Sequence, residues 1–281
     1  AKLPIYSFFV SAFFPMKGGF IMAGLYLLGI LVGILAAFLY NRTLFKGDPV
    51  PFVMELPNYR LPGARNVGQL LWEKAKDFLQ RAFSIILLAS MIIWFLQSFD
   101  LHLNLVKDSA DSILASIGSV IAVIFTPLGF GRWQPVAASL SGFSAKEAIV
   151  TTMGVLANVA GDTEDPAVVA HGVATWFPSA AAGFSFLLFN LLDSPCLAAI
   201  ATMAKELNDR KWFWFAILFQ NVFAYVVCLI VYQVGSFVTG GAFGVGTAVG
   251  FILLIFLLFM LFRPDPYKDQ KVYSKRSVQA A

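Results

Sequence analysis

Charged residues are scarce in this sequence. Only 13% of its 281 positions are Asp, Glu, Lys or Arg, whereas a soluble domain carries about 25%. Hydrophobic residues occupy 59% of the chain, and the mean hydropathy is +0.77. This composition argues against a large soluble all-α protein and predicts an integral membrane protein.

Cysteine and the common catalytic motifs are also scarce or missing. The two cysteines, Cys196 and Cys228, lie inside apolar runs and imply no disulfide framework. The sequence contains no GxxxxGK[ST] loop, no HExxH and no paired CxxC. We therefore expect a protein that is not an enzyme, holds no permanent cofactor and binds no nucleic acid.

What the sequence does contain is a series of long apolar runs. About 20 apolar residues in a helix match the hydrocarbon thickness of a bilayer. The runs of this kind are 20–40, 82–99, 113–130, 136–156, 172–203, 212–234 and 243–262. They predict an all-α, polytopic helical membrane protein with about seven hydrophobic segments, some of which could be discontinuous or re-entrant. A shorter run at 5–14 looks like the end of a further segment, so we expect a piece of a longer protein.

The distribution of Lys and Arg orients these segments. Cytoplasmic loops of membrane proteins carry an excess of both residues. Such an excess occurs at 41–81 (seven), 203–211 (three) and 263–281 (five). The loops 99–112, 158–171 and 236–242 together hold a single one. The rule predicts a cytoplasmic C-terminus, and it requires runs 113–130 and 136–156 to cross twice or to dip in and re-emerge.

Two loop regions have a distinctive pattern. Residues 48–61 contain three prolines and mixed charge, so we expect an extended cytoplasmic segment there. Residues 72–81 follow as a predicted amphipathic helix at the cytoplasmic interface. The acidic, turn-rich stretch 161–166 is predicted to be an outer loop.

Three ionisable residues lie inside apolar runs. Lys146 and Glu147 fall in run 136–156, and Asp193 falls in run 172–203. A charge at bilayer depth costs about 2.5–3.5 kcal/mol on insertion scales, so such residues normally face a polar interior or a pathway. Because neighbours on a helix point in different directions, Lys146 and Glu147 should each need a separate partner. A transport site and a structural ion pair both remain open.

The surroundings of Lys146 and Glu147 are rich in small polar residues. Ser141, Ser144 and Thr151 are candidate supporting groups for the two charges. If the helix is continuous, Ser144 and Thr151 share a face with Glu147. Gly142 alternatively permits a break in the helix, as occurs in discontinuous transporter helices.

A second constellation is the string 190–196, NLLDSPC. Pro195 should kink the helix because its ring displaces a backbone carbonyl and it donates no hydrogen bond. The kink would place the Asp193 carboxylate and the Cys196 thiol within one turn. Together these groups can bind a borderline divalent cation such as ferrous iron, although a lone buried Cys is usually a small core residue.

Several strings resemble the membrane domain of bacterial ferrous iron transport protein B. They are 1–6 (AKLPIY), 12–15 (AFFP), 41–45 (NRTLF), 51–57 (PFVMELP), 59–62 (YRLP), 127–129 (PLG), 142–147 (GFSAKE), 195–200 (PCLAAI), 205–206 (KE), Gln220 and 224–225 (AY). In the order of that family they cover nearly the whole chain. The resemblance implies import of Fe²⁺ across the bacterial cytoplasmic membrane, with Fe²⁺ as the transported substrate.

The resemblance also implies partners and residue roles. A GTP-binding domain would precede this region in the same parent protein, and small cytoplasmic accessory proteins, lipid and further copies of the chain would be partners. Cys196 matches a gate-associated cysteine of the family, and Glu147 matches the acidic residue of its Ala-Lys-Glu motif. Asp193 departs from the family pattern. The candidate Fe²⁺ ligands are therefore Cys196, Asp193 and Glu147, supported by Lys146, Ser144, Ser141 and Thr151.

This resemblance divides the chain into five regions. They are the end of a first gate-type segment with one transmembrane helix (1–41), a cytoplasmic connector (42–81), a second gate-type region (82–203), two C-terminal helices (204–262) and a basic cytoplasmic tail (263–281).

Two other functions are compatible with parts of the sequence. Gate-type segments also occur in nucleoside carriers, and another divalent cation such as Mn²⁺ could be the solute. The Asp193 and Cys196 pair argues against a nucleoside. A non-transporting scaffold or an intramembrane hydrolase is the third class, but a hydrolase needs a nucleophile with a base at membrane depth, and no His lies there.

Overall fold

A computed structural model describes residues 2–14, 17–44, 62–81, 83–84, 87–106, 108–157 and 172–263. Within these ranges the chain is helical, and the only pairing between extended residues is an isolated bridge between Phe99 and Leu105. The helices are α1 (Leu3–Phe13), α2 (Gly18–Thr43), α3 (Ala64–Arg81), α4 (Leu87–Ser98), α5 (Ile113–Phe125), α6 (Trp133–Ser141), α7 (Ala148–Ala157), α8 (Ala180–Leu192), α9 (Leu197–Leu207), α10 (Arg210–Val238) and α11 (Val245–Phe262). The all-α prediction is confirmed.

Several of these helices are long and apolar enough to cross a membrane. By length and composition the candidate spans are Gly18–Asn41, Ala180–Leu207, Arg210–Val238 and Val245–Phe262. Large apolar side chains on them are exposed, for example Phe20 (86%) and Phe262 (76%). An apolar surface of this extent is stable in lipid and not in water. The chain is thus an integral membrane protein.

The predicted number of about seven segments is not confirmed. Among the described residues there are four candidate spans, or up to five if a bent pair of helices counts as one. The α-helix described within run 82–99 is the 12-residue α4, and run 136–156 is divided between α6 and α7. Hydropathy records composition but not helix breaks, so an apolar run in the sequence need not be one continuous helix.

Runs 113–130 and 136–156 meet at a sharp bend. Helix α5 with the 3-10 turn Thr126–Leu128 meets α6 at an angle of 105°, as in a broken span or a re-entrant loop. Gly129 allows the bend because its φ is +89°. The ring of Tyr232 in α10 lies so close that a Cβ at Gly129 would be 2.3 Å away.

Helix α10 holds this bend through its side chains. The hydroxyl of Tyr225 donates to the Ile124 carbonyl at 2.8 Å, and Nε2 of Gln233 donates to the Pro127 carbonyl at 2.7 Å. Carbonyls freed at a helix end need such donors when no water reaches them. The bend is therefore fixed to α10 at two points.

The core is centred on α8, which packs against α1, α2 and α10. Aromatic rings from four segments meet there. The ring of Phe186 lies 5.0 Å from that of Phe9, 5.3 Å from that of Phe130 and 5.5 Å from that of Phe177, measured between centroids. Contacts of this kind bring the C-terminal end of α8 into the middle of the bundle.

The predicted amphipathic helix at 72–81 lies within the longer helix α3, Ala64–Arg81. Its Leu70, Leu71 and Trp72 side chains are exposed, consistent with a helix lying on a membrane surface. The predicted extended segment 48–61, the outer loop 161–166 and the tail from 264 onward lie outside the described residues.

Candidate ion site at two helix breaks

Two breaks in the helices face each other. The first, residues 142–147, separates α6 from α7, and the second, residues 193–196, separates α8 from α9. The N–H of Leu197 donates to the carbonyl of Phe143 at 2.8 Å and joins them directly. Non-helical backbone at membrane depth is tolerated only where it is buried in protein or lines a cavity. The two breaks therefore mark the polar interior of the bundle.

Gly142 ends α6 at the first break. A Cβ at this position would lie 2.5 Å from Cδ1 of Ile149, so the chain can pass closely there only without a side chain. Turns follow, in which the N–H groups of Phe143 and Ser144 donate to carbonyls three residues earlier. The alternative of a break at Gly142 is confirmed, and a continuous helix through Glu147 is excluded.

This break rearranges the predicted supporting groups. Glu147 and Thr151 are both exposed, whereas Ser141 and Ser144 are buried. Thr152 is buried instead of Thr151, and its hydroxyl donates to Oγ of Ser141 at 2.9 Å. A shared helical face for Ser144, Glu147 and Thr151 does not form because residues 142–147 are not helical.

The second break forms at Pro195 as the sequence predicts. Helix α8 ends at Leu192, Asp193 and Cys196 are extended, and Cys196 begins α9 as its N-cap. Helix α10 supports the break: Nε2 of Gln220 donates to the Asp193 carbonyl at 3.2 Å, and Nδ2 of Asn221 donates to Oγ of Ser194 at 2.6 Å.

A buried ion pair connects the two breaks. Nζ of Lys146 donates to Oδ2 of Asp193 at 2.5 Å, and the two side chains are 4% and 3% exposed. A second ammonium group is close by, since Nζ of Lys2 lies 3.9 Å from Oδ1 of Asp193 and donates to the Leu191 carbonyl at 2.7 Å. As the sequence predicts, Lys146 has a partner other than Glu147.

A cavity of about 550 Å³ opens beside Asp193. Its lining is largely apolar and includes Phe143, and the residues that contribute polar groups are Ser139, Asp193, Asn221 and Tyr225. Oδ1 of Asp193 and Oγ of Ser139 are buried and have no hydrogen-bond partner among the described residues. Buried polar atoms are nearly always hydrogen-bonded, so these two oxygens, one of which lies 3.9 Å from Nζ of Lys2, can still accept a contact from a ligand.

The three candidate ligands occupy different environments. Asp193 is buried, Cys196 is half-buried at the start of α9, and Glu147 is exposed. Among the residues that the structure describes, no group of three or more His, Cys, Asp or Glu side chains is placed to hold a metal ion. The arrangement thus offers separate contacts rather than a closed cage, and the proposed ligand set stays a prediction.

Some residues of the site have no signal in the sequence patterns. Neither Lys2, at the end of a short apolar segment, nor Asn221, inside an apolar run, is assigned a role by periodicity. The one signal that points to these two residues is the need of a buried Asp193 for a cationic partner and for polar neighbours. Cys228, predicted to be a core residue, is fully buried in α10.

Comparison with known proteins identifies two family models. Residues 22–74 match the family described as "Ferrous iron transport protein B C terminus", and residues 79–210 match the Gate family, described as "Nucleoside recognition". No solved structure matches the chain.

Similar proteins carry the name Fe(2+) transporter FeoB. The chain is 35% identical to the one from Staphylococcus aureus (strain MSSA476), over 84% of the chain and 34% of the relative. It is 36% identical to that of Campylobacter jejuni, over 82% of the chain and 39% of the relative. A fusion of Fe(2+) transport protein A with the transporter in Porphyromonas gingivalis is 32% identical, over 84% of the chain and 33% of the relative. The chain spans about a third of the length of these relatives.

Proposed function

Because the chain is 35% identical over 84% of its length to a protein named Fe(2+) transporter FeoB, and its residues 22–74 match the family model for the C terminus of ferrous iron transport protein B, we propose that it forms the permeation path of a ferrous iron importer. The observation that carries the proposal is the Asp193 carboxylate, buried beside a cavity where two helix breaks meet. Intramembrane carboxylates in such positions mark ion pathways.

The proposed path uses weak, successive contacts. Fe²⁺ would enter from the outer face, meet Cys196, Asp193 and Glu147 in transit, and leave toward the connector 42–81. Permeation requires binding that favours entry and still allows release. Asp193 has one oxygen that accepts no hydrogen bond, and Cys196 has a half-buried thiol. Separate contacts of this kind would release the ion more easily than a closed cage of ligands would.

We also propose the arrangement of the parent protein. A GTP-binding domain would act on the connector and α3 from the cytoplasmic side, where the positive-inside rule also places the C-terminus. The protein would lie in the bacterial cytoplasmic membrane as a homo-oligomer. The Porphyromonas gingivalis relative is named as a fusion with Fe(2+) transport protein A, which supports a small accessory protein as a partner.

A nucleoside is the alternative solute, since the Gate family carries that description. A nucleoside site needs several hydrogen-bonding groups around the sugar and base. The cavity beside Asp193 has four lining residues with polar groups in an otherwise apolar wall, and the hydroxyl of one of them, Tyr225, already donates to a backbone carbonyl; this favours a small cation. A transporter is also favoured over an enzyme, because the similar proteins are named as transporters.

The test is solute uptake into cells that express this region within its full-length parent. We expect uptake of radiolabelled Fe²⁺ and none of uridine, with Mn²⁺ as a competitor that measures selectivity. Cys196→Ser and Glu147→Gln test the proposed ligands, and Cys228→Ser is the matched control because that thiol is fully buried in α10. Uridine uptake without Fe²⁺ uptake would overturn the proposal.

A further inference from the structure

The surroundings of Asp193 hold more positive than negative charge. Two ammonium groups, on Lys146 and Lys2, approach this one carboxylate. Formally, two positive charges and one negative charge leave an excess of one positive charge. A dication that reaches Asp193 would meet this excess, because like charges in a site of low dielectric repel strongly. Fe²⁺ should therefore bind the carboxylate more strongly when an ammonium group withdraws.

Lys146 is placed to withdraw. It lies in the turns of residues 142–147 and not in a helix, so its backbone is not held by a continuous hydrogen-bond ladder. Its Nζ also lies 5.7 Å from the ring centroid of Phe143, which lines the cavity together with Asp193. An aromatic face attracts a cation within about 6 Å. Because the ammonium group is already within this range while it bonds Asp193, it can leave the carboxylate and keep a favourable contact with the Phe143 ring.

Lys2 is less suited to this role. Its Nζ is 3.9 Å from the carboxylate, its side chain is 28% exposed, and its donated hydrogen bond goes to the Leu191 carbonyl. It contributes to the potential at Asp193 without occupying the oxygen that Lys146 fills.

We propose that Lys146 is a tethered cation that occupies Asp193 when no Fe²⁺ is present, and that Fe²⁺ binds by displacing it toward Phe143. The returning ammonium group then expels Fe²⁺ from the carboxylate. Lys146 also excludes monovalent ions, because an ion of single charge gains no advantage over an ammonium group already in place. This role rests on the proposed function and assigns Lys146 as a positioning residue of the path.

The test is the dependence of the initial Fe²⁺ uptake rate on Fe²⁺ concentration, for matched membrane levels of the full-length parent. Lys146→Met removes the competitor, so we expect KM to fall about tenfold, equivalent to about 1.4 kcal/mol, and the maximal rate to fall because release slows. Lys146→Arg holds the carboxylate through a bidentate contact and should raise KM. Lys211→Met, at an exposed lysine of α10, is the control for loss of charge.

Opposite changes in KM for the two variants are the signature of competition. A purely structural ion pair predicts instead that Lys146→Arg behaves as wild type and that Lys146→Met lowers the maximal rate without lowering KM; either result overturns the proposal. Lys146→Arg keeps the positive charge at position 146 and the negative charge of Asp193. Its KM therefore distinguishes competition from a structural ion pair even if Lys146→Met does not reach the membrane. A wild-type protein that imports no Fe²⁺ would overturn the proposed function itself.

Discussion

Removing one member of the Lys146–Asp193 pair should destabilise the protein far more than removing both. The two side chains are 4% and 3% exposed and in direct contact. Loss of one partner leaves an uncompensated buried charge, which costs about 3–5 kcal/mol, whereas replacing both by neutral groups is often neutral. The double variant Lys146→Met/Asp193→Asn leaves the partly exposed Lys2 ammonium group without a counter-charge, so we expect it to cost less than either single variant but not to equal wild type.

The two single variants should not be equal. Asp193→Asn leaves two ammonium groups, Lys146 and Lys2, without a counter-charge, so its cost should lie toward the upper end of that range. Lys146→Met leaves Asp193 with Lys2 at 3.9 Å and should lie toward the lower end. The asymmetry follows from the excess of one positive charge around the carboxylate.

Unfolding free energies in mixed micelles, followed by the fluorescence of the six tryptophans, give the required double-mutant cycle. A large coupling energy, with the double variant more stable than either single variant, supports a formed pair. If the double variant costs the sum of the two single variants, the charges do not interact and the reasoning fails.

Three further predictions concern the bend, the two thiols and the loop that follows α4. Gly129→Ala should cost about 2 kcal/mol or more of unfolding free energy, because its φ is +89° and a Cβ would meet a tyrosine ring of α10 at 2.3 Å; Gly33→Ala, with nothing within 4 Å of its Cβ, should be harmless in the same assay. A water-soluble maleimide should label Cys196 much faster than the fully buried Cys228, and equal labelling of both would contradict the position of the second break. Backbone N–H groups of Asn104 and, to a lesser extent, His102 lower the pKa of Asp100. The carboxylate therefore stabilises its loop above about pH 4, the usual range of this group, and that contribution is lost as the pH falls through the lowered pKa; Asp100→Asn should remove this pH dependence from hydrogen exchange in the loop.

Local chemistry was enough to predict several features from the sequence. Long uncharged runs predict membrane helices because a helix satisfies all of its own backbone hydrogen bonds within lipid. Pro195 predicts a break because proline cannot continue a helix. The prediction that Lys146 pairs with a residue other than Glu147 is also confirmed. In each case the cause lies within a few residues of the effect.

Features that depend on distant contacts were not predictable in this way. The pairing of Lys146 with Asp193 joins positions 47 residues apart, and the contribution of Lys2 comes from the opposite end of the chain. The break at Gly142 depends on the close approach of Ile149, and periodicity contains no record of such packing. As a result, Thr151 was predicted to support the site, whereas the threonine that contacts Ser141 in the structure is Thr152.

Uptake of Fe²⁺ by the full-length parent carrying Asp193→Asn, compared with Asp100→Asn at equal membrane levels, tests the central claim most directly. Both changes remove one carboxylate charge, but Asp193 is buried where the two breaks meet and Asp100 is in the loop that follows α4. If Fe²⁺ passes between the breaks, Asp193→Asn abolishes uptake and Asp100→Asn leaves it intact. Uptake at the wild-type rate by Asp193→Asn would place the path elsewhere in the protein.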